Sequence, residues 1–170
     1  LSNLYQLNLR LNSLEGSIPT EFEKLEKLGK LDLGFNNLGG EIPNKLGELS
    51  QIKHIILREN QLKGSIPSEL GNLTNLEILD LEMNNLSGPL PKSLGQVSGL
   101  RIFDIDETQI GGPIPLSFTN LEQLERFSFY NTNVCEPIDP EFLDWKSNVP
   151  TWFGTDIICK YFYVPILFSH

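Results

Sequence analysis

The chain has 170 residues, 39% of them hydrophobic and 21% charged, which suits a single soluble domain with its own core. Its 13 basic and 22 acidic residues give a net charge of −9, and this argues against nucleic-acid binding, because phosphates are bound by basic surfaces. No apolar run approaches the roughly 20 residues needed to cross a bilayer, so we expect no membrane insertion by this segment.

A repeating pattern of 24 residues occupies most of the chain. The consensus is LxxLxxLxLxxNxLxGxIPxxLxxL, and its units begin at Leu1, Leu25, Leu49, Leu73, Val97 and Leu121. Five units are complete, and the sixth loses the pattern after Val134. One such unit cannot bury its own apolar row, whereas stacked units form a continuous core.

Each unit contains the signals of one strand followed by a turn. Apolar and polar residues alternate around the LxL core, which predicts a strand with one buried face. The asparagine has both an amide donor and a carbonyl acceptor, so it can satisfy backbone groups inside the turn. Glycine permits the tight turn, and proline fixes φ where no ladder partner is needed.

The NxLxGxIPxxL half of the unit resembles the plant-type, extracellular class of leucine-rich repeat proteins, over residues 1–134. That class includes ectodomains of receptor-like kinases, receptor-like proteins and polygalacturonase-inhibiting proteins. The resemblance implies an α/β fold: a curved solenoid with a parallel sheet on its concave face and short 3-10 or irregular segments on its convex side. It also implies a secreted or cell-surface location and recognition of proteins or peptides on the concave sheet.

Two features depart from the family pattern. The repeated asparagine is replaced by Thr108 and Thr132, so the last turns depend on a hydroxyl that makes fewer hydrogen bonds. The cysteine-paired N-terminal cap of secreted members is absent, and the chain has neither an initial Met nor a signal peptide. We therefore expect a trimmed product or fragment, or a short form that self-associates through an exposed N-terminal end.

Residues 135–170 form a separate C-terminal segment, which we predict to be a cap. Asp139 followed by Pro140 predicts a helix start, and Phe142, Leu143 and Trp145 are expected to cover the last repeat, with Trp152 and Phe153 adding to it. The chain's two cysteines, Cys135 and Cys159, suggest one disulfide, with two free buried thiols as the alternative. The apolar tail after Lys160 is expected to pack on this cap.

Alternation within the strands predicts which side chains leave the concave side of the sheet. Asp80, Glu82, Asp104 and Asp106 form a two-by-two grid of carboxylates on two neighbouring strands, beside an apolar strip that includes Ile78 and Ile102. We expect Arg58, Arg101 and Arg126 to offset part of this charge. The predicted partner-binding residues are Asp32, Phe35, His54, Ile56, Arg58, Asp80, Glu82, Met83, Asp104, Asp106, Glu107 and Tyr130.

Three interpretations of the acidic grid remain open at this stage: a solvated patch, a site for a protein or peptide with a basic patch, and a divalent-metal site. A flat sheet has no loop to fold oxygens around an ion, which disfavours the metal site. The histidines are His54 and His170, and the chain has no recognisable catalytic triad, phosphate loop or HExxH motif. We therefore predict neither an enzyme nor a cofactor.

Asn72 and Asn85 each begin an N-glycosylation sequon, and both are predicted to lie off the concave strands. Glycans there would leave the sheet clear for a partner. The leading hypothesis is an extracellular recognition module, and the alternative is a structural segment of a longer solenoid that binds no ligand itself.

Overall fold

The computed structural model describes residues 3–159, which contain thirteen strands, numbered β1 to β13 in chain order, and one α-helix. Seven of the strands form one sheet with the order β1-β3-β5-β7-β9-β11-β13. Their bounds are Gln6–Asn8 (β1), Lys30–Asp32 (β3), His54–Ile56 (β5), Ile78–Asp80 (β7), Ile102–Asp104 (β9), Arg126–Ser128 (β11) and Thr151–Phe153 (β13).

All neighbouring strands of this sheet are parallel, and the register follows the repeat. Leu7 pairs with Leu31, which pairs with Ile55, so equivalent residues of successive repeats form straight columns across the sheet. The predicted alternation is confirmed, because the central residues of β3, β5, β7, β9 and β11 are all fully buried. The residues on either side of it face the concave side.

The opposite side carries the predicted 3-10 helices and, in addition, six short strands. The strands are Glu15–Ser17 (β2), Asn37–Gly39 (β4), Lys63–Gly64 (β6), Asn85–Gly88 (β8), Gln109–Pro113 (β10) and Asn133–Cys135 (β12). They form a two-stranded sheet of β2 and β4 and a four-stranded sheet in the order β12-β10-β8-β6, neither of which the sequence pattern predicted. The 3-10 helices are Thr20–Lys24, Asn44–Glu48, Ser68–Asn72, Lys92–Gln96 and Leu116–Asn120.

A ladder of buried asparagines connects successive repeats. Asn84 donates through Nδ2 to the carbonyls of Leu57 and Leu81 (3.1 and 3.0 Å), and its Oδ1 accepts from the amide of Leu62 (3.0 Å). The predicted change at the end of the ladder is also found. Thr108 contributes a single hydrogen bond, to the carbonyl of Ile105.

The 3-10 helices stack closely because glycines occupy their contact points. A Cβ on Gly71 would lie 2.5 Å from the carbonyl oxygen of Ser93, and one on Gly95 would lie 2.3 Å from that of Ser117. Backbone atoms cannot yield as a flexible side chain does, so this close stacking depends on glycine. Successive repeats are thereby held close together on the convex side.

The C-terminal cap contains the predicted helix, α1 (Pro140–Ser147), and Asp139 accepts hydrogen bonds at its start from the amides of Glu141 and Phe142. Phe142 is fully buried and Trp145 is half-buried, but Leu143 is 47% exposed, so its expected packing role is wrong. Leu143 directly follows the buried Phe142 on the helix, and adjacent helical residues face different sides.

A disulfide joins Cys135 to Cys159, which resolves the choice left open by the sequence. The two residues are 24 positions apart, the length of one repeat, and an isolated parallel bridge pairs Glu136 with Ile158 beside them. The disulfide therefore links one turn of the solenoid to the next. The expected packing of the tail after Lys160 lies outside the described residues.

Strand β13 was not predicted and extends the concave sheet past the sixth repeat. Trp152 at its centre occupies the place of the repeat leucine and contacts Phe127 and Phe129 edge-on, with ring centroids 5.3 and 5.4 Å apart. The neighbouring Phe153 is 54% exposed on the concave side, so it does not cover the core as expected. At its C-terminal end the hydrophobic core therefore consists of aromatic side chains.

Candidate recognition surface

The concave face divides into two sections of opposite charge. We call Arg10, Lys30 and Arg58, on the first three repeats, the basic section; Asp32 and Glu59 lie on the same repeats, so three cations and two carboxylates leave a formal charge of +1 there. We call Asp80, Glu82, Asp104, Asp106 and Glu107, on the fourth and fifth repeats, the acidic section. Asp80 and Asp104 are direct neighbours across β7 and β9, as the predicted grid requires.

The carboxylates of the grid are less exposed than expected. Asp80 and Asp104 are only 8% and 5% exposed, and Asp32, which lies outside the grid, is 3% exposed. All three lie on the concave side of the sheet, but arginine side chains of adjacent repeats cover the two grid residues: Arg58 lies 3.6 Å from Asp80, and Arg126 donates to Asp104 at 2.9 Å. The alternation in the sequence predicts correctly on which side of the sheet these aspartates lie. Their exposure depends instead on the packing of neighbouring side chains.

The arginines offset the acidic section only in part. Arg58 also pairs with Glu82 at 2.6 Å, so one guanidinium serves two carboxylates. The predicted contribution of Arg101 is wrong, because Arg101 pairs with Glu125 at the exposed start of the strands. Two arginines therefore contact three of the five carboxylates in this section.

Asp106 and Glu107 take their hydrogen bonds from uncharged groups. Asp106 accepts from the hydroxyl of Ser128 (2.6 and 2.7 Å) and from the amide of Tyr130 (2.6 Å). Glu107 accepts from the side-chain amide of Asn131 at 2.7 Å. Their negative charge is oriented but not neutralised, and it remains available to a cationic group from outside.

Apolar side chains lie among these charges. Ile56, Ile78 and Ile102 are half-buried at the centre of the sheet, while Met83 and Tyr130 are 44% and 56% exposed. Aromatic and methionine side chains are over-represented at protein interfaces, where a polar rim surrounds an apolar centre. The concave face has both parts of that arrangement.

The residue three positions after the end of each concave strand, from β1 to β11, has an unexpected backbone conformation. Its φ is positive in all six repeats, at Leu11, Phe35, Glu59, Met83, Glu107 and Asn131. Non-glycine residues rarely adopt this conformation, and no glycine in the sequence signals it here. The turn displays Phe35 on the sheet edge, where Arg10 and Arg58 lie 4.2 and 5.5 Å from its ring centre.

Burial changes the protonation of several concave groups. It raises the pKa of Asp80 and of Asp104 to about 6, and the positive charges of Arg58 and Arg126 oppose this only in part. Burial also lowers the pKa of His54 below its usual 6.5, against the smaller opposing effect of Glu77. The acidic section therefore gains negative charge as the pH rises through about 6 and loses it as the pH falls.

We expect the free energy of unfolding to fall by roughly 2 kcal/mol between pH 4.5 and pH 7 because of these two aspartates. A folded-state pKa raised from 3.8 to about 6 gives stability that is complete below 3.8 and is lost as the pH rises through 6. Urea unfolding across this range should therefore show a flatter pH dependence in Asp80→Asn/Asp104→Asn. The control Glu122→Gln/Asp144→Asn removes the same charge from exposed sites and should keep the wild-type slope; equal slopes in all three proteins would contradict the assignment.

Other predicted features lie away from this face. Asn72 and Asn85 are exposed, the first at the end of a 3-10 helix and the second at the start of β8. Within residues 3–159, no group of three or more His, Cys, Asp or Glu side chains is arranged to hold a metal ion. No helix in the same range is long and apolar enough to cross a membrane.

Comparison with known proteins identifies the family. The Leucine Rich Repeat family matches residues 3–25, 27–49, 51–73 and 75–97, more than half of the chain. The chain therefore belongs to the leucine-rich repeat family, and its repeats are of the plant type. A comparison with curated protein sequences gave no significant match.

Solved structures of plant receptor ectodomains share this fold. The chain is 38% identical to the ectodomain of the Arabidopsis thaliana membrane receptor kinase GASSHO1/SCHENGEN3, solved with CASPARIAN STRIP INTEGRITY FACTOR 2, with a TM-score of 0.84 over 88% of this chain and 18% of that one. It is 31% identical to the Arabidopsis receptor kinase HAESA, solved with the peptide hormone IDA and the co-receptor SERK1 (TM-score 0.83; 89% and 26% covered).

A shorter relative is matched over most of its length. The Arabidopsis thaliana BIR2 ectodomain is 31% identical, with a TM-score of 0.68 over 76% of this chain and 68% of that one. The chain thus spans about a fifth to a quarter of the first two receptor ectodomains, and about two thirds of the third.

Proposed function

We propose that this chain is a non-catalytic extracellular recognition module that binds a protein or peptide on its concave sheet. The observation that carries the proposal is the unbalanced acidic section: Asp106 and Glu107 hold oriented negative charge that only uncharged groups contact. Beside them, Met83 and Tyr130 offer exposed apolar surface. A basic residue of a partner would find both attraction and an apolar contact there.

The relatives support the same class of function. HAESA is solved with a peptide hormone and a co-receptor, and GASSHO1/SCHENGEN3 with an integrity factor, so ectodomains of this fold bind such partners. An extracellular location also agrees with the disulfide between Cys135 and Cys159, since disulfides persist in oxidising compartments. Glycans on Asn72 and Asn85 would lie off the concave face.

The test begins with peptides selected from a random nine-residue library on the immobilised wild-type protein. We expect the selected peptides to contain Lys or Arg and to bind Asp80→Asn/Asp104→Asn/Asp106→Asn about tenfold more weakly in calorimetry, because the variant removes three negative charges and leaves Arg58 and Arg126 free to repel a basic ligand. Asparagine keeps the acceptor oxygen that the backbone amides use, so folding should be preserved.

The matched control is Glu21→Gln/Glu122→Gln/Asp144→Asn, which makes the same change of net charge at exposed residues off the sheet. It should bind as the wild type does. Equal weakening by the control would show a non-specific effect of net charge and would contradict the proposed surface. Failure to select any peptide would favour the alternative, a structural segment of a longer solenoid.

A further inference from the structure

We propose that the ligand of the concave face carries opposite charges, with an acidic residue over the basic section and a basic residue over the acidic section. This inference rests on the proposed function and replaces a uniformly basic partner with a bipolar peptide. Its basis is the basic section, which lies on the same face as the acidic section.

Arg10 and Lys30 provide the positive charge of that section. Arg10 is exposed, and its guanidinium lies 4.2 Å from the centre of the Phe35 ring. Within the described residues, no carboxylate lies within ion-pair distance of Arg10. Lys30 is 3.7 Å from the buried Asp32, longer than a direct hydrogen bond. Arg10 can therefore bind a carboxylate of a ligand directly, and Lys30 can do so beside its ion pair with Asp32.

Arg58 lies at the boundary between the two sections. Its terminal nitrogens face Asp80 and Glu82, while its Nε is buried without a hydrogen-bond acceptor among the described residues. A buried donor without an acceptor costs free energy, so Arg58 can change its rotamer at little cost when a ligand binds beside it. A Cβ on Gly34 would approach the Arg58 stem to 3.2 Å, so the absence of a side chain there leaves room for the arginine near Phe35.

A half-buried isoleucine separates the two sections. Ile56 on β5 lies between Asp32 on β3 and Asp80 on β7, and Ile78 and Ile102 lie beside the acidic carboxylates on β7 and β9. An apolar ligand residue would contact them, while charged ligand residues would avoid them. The face thus offers a basic, an apolar and an acidic contact in that order.

The strand spacing sets the distance between the charged ligand residues. Three strand steps separate Lys30 on β3 from β9, which Asp106 closely follows, and this is about 14 Å across the sheet at about 4.8 Å per step. An extended peptide advances about 3.4 Å per residue, so this distance corresponds to about four residues. The ligand should therefore carry an acidic and a basic residue four positions apart, with an apolar residue midway.

A uniformly charged ligand would meet repulsion at one end. A basic peptide covering the whole face would bring cations against Arg10 and Lys30, and an acidic one would bring carboxylates against Asp106 and Glu107. Like charges across an interface oppose binding. Only a bipolar ligand is attracted along its full length.

Three capped nine-residue peptides test this inference by calorimetry at low salt. Each has a leucine at its centre and charged residues two positions on either side: one aspartate and one lysine, two lysines, or two aspartates. We expect the mixed peptide to bind at least about fivefold more tightly than either uniform peptide, a factor typical of one or two exposed ion pairs. Higher salt should reduce this preference.

Variants of the protein test whether the acidic residue of the peptide binds Arg10 and Lys30. Arg10→Glu/Lys30→Glu should abolish the preference for the mixed peptide and favour the peptide with two lysines. Lys24→Glu/Lys92→Glu makes the same charge change at exposed residues of 3-10 helices and should leave the preference unchanged.

The outcomes distinguish the two proposals. Equal or tighter binding of the two-lysine peptide to the wild type would overturn the bipolar ligand and leave the acidic recognition surface standing. No preference change in Arg10→Glu/Lys30→Glu would likewise overturn it. Failure of all three peptides to bind would overturn the bipolar ligand, whereas the proposed function falls only if the random library yields no binding peptide.

Discussion

Replacing Asn84 with Ala is expected to lower the free energy of unfolding by about 3–5 kcal/mol, because several buried backbone groups lose their partners. Asn84 is only 5% exposed and bonds to backbone groups of two successive repeats. The amide of Leu62 and the carbonyl of Leu57 would both lose a hydrogen bond. Urea unfolding followed by circular dichroism measures the change.

Two further variants make this prediction specific. Asn12 occupies the same position of the first repeat but is exposed and bonds only to the nearby carbonyls of Leu9 and Arg10, so Asn12→Ala should cost less than about 1 kcal/mol. Asn84→Thr should fall between, since Thr108 keeps one such bond naturally. A similar loss at Asn12 and Asn84 would show that the repeat-to-repeat bonds are not the cause.

Replacing Lys146 with Met is expected to destabilise the cap by about 3 kcal/mol, because it leaves the Glu136 carboxylate buried without its cation. Glu136 is 3% exposed and accepts hydrogen bonds from Lys146 and from Trp152 Nε1, the latter at 2.9 Å. Trp152 in turn packs on the last phenylalanines of the core. Thermal unfolding monitored by tryptophan fluorescence reports on this region.

The double variant Lys146→Met/Glu136→Gln should recover most of that loss. Glutamine removes the unpaired charge and keeps an acceptor for the Trp152 indole, and a neutral substitute for a buried ion pair often costs little. If the double variant were as unstable as Lys146→Met alone, the effect would come from lost side-chain packing of Lys146 and not from the buried charge.

The cap shows why local patterns predict some residues and miss others. Asp139 and Pro140 were predicted correctly because helix capping involves only neighbouring residues. Strand β13 was missed because Thr151, Trp152 and Phe153 have none of the repeat's leucines and join the sheet through pairing with Arg126–Ser128. The exposure of Leu143 and Phe153 likewise depended on contacts with residues distant in sequence.

On the concave face, too, local sequence patterns predict some features and miss others. The positions of Asp80, Asp104 and Ile56 on that face follow from alternation, but the burial of the two aspartates depends on which arginine of an adjacent repeat folds over them. Arg58 and Arg126 contact the grid, whereas Arg101, which lies one position before β9, pairs with Glu125. Side-chain packing between repeats sets these ion pairs.

The sequence by itself determined the architecture, because a 24-residue pattern of leucines, asparagine, glycine and proline can bury its apolar row only by stacking in register. It also determined the columns of the concave face, since strand alternation has a fixed period of two. Only the tertiary structure decided the ion pairs, the buried aspartates, the left-handed edge residues and the final strand. These depend on distances between side chains of different repeats, which a one-dimensional pattern does not specify.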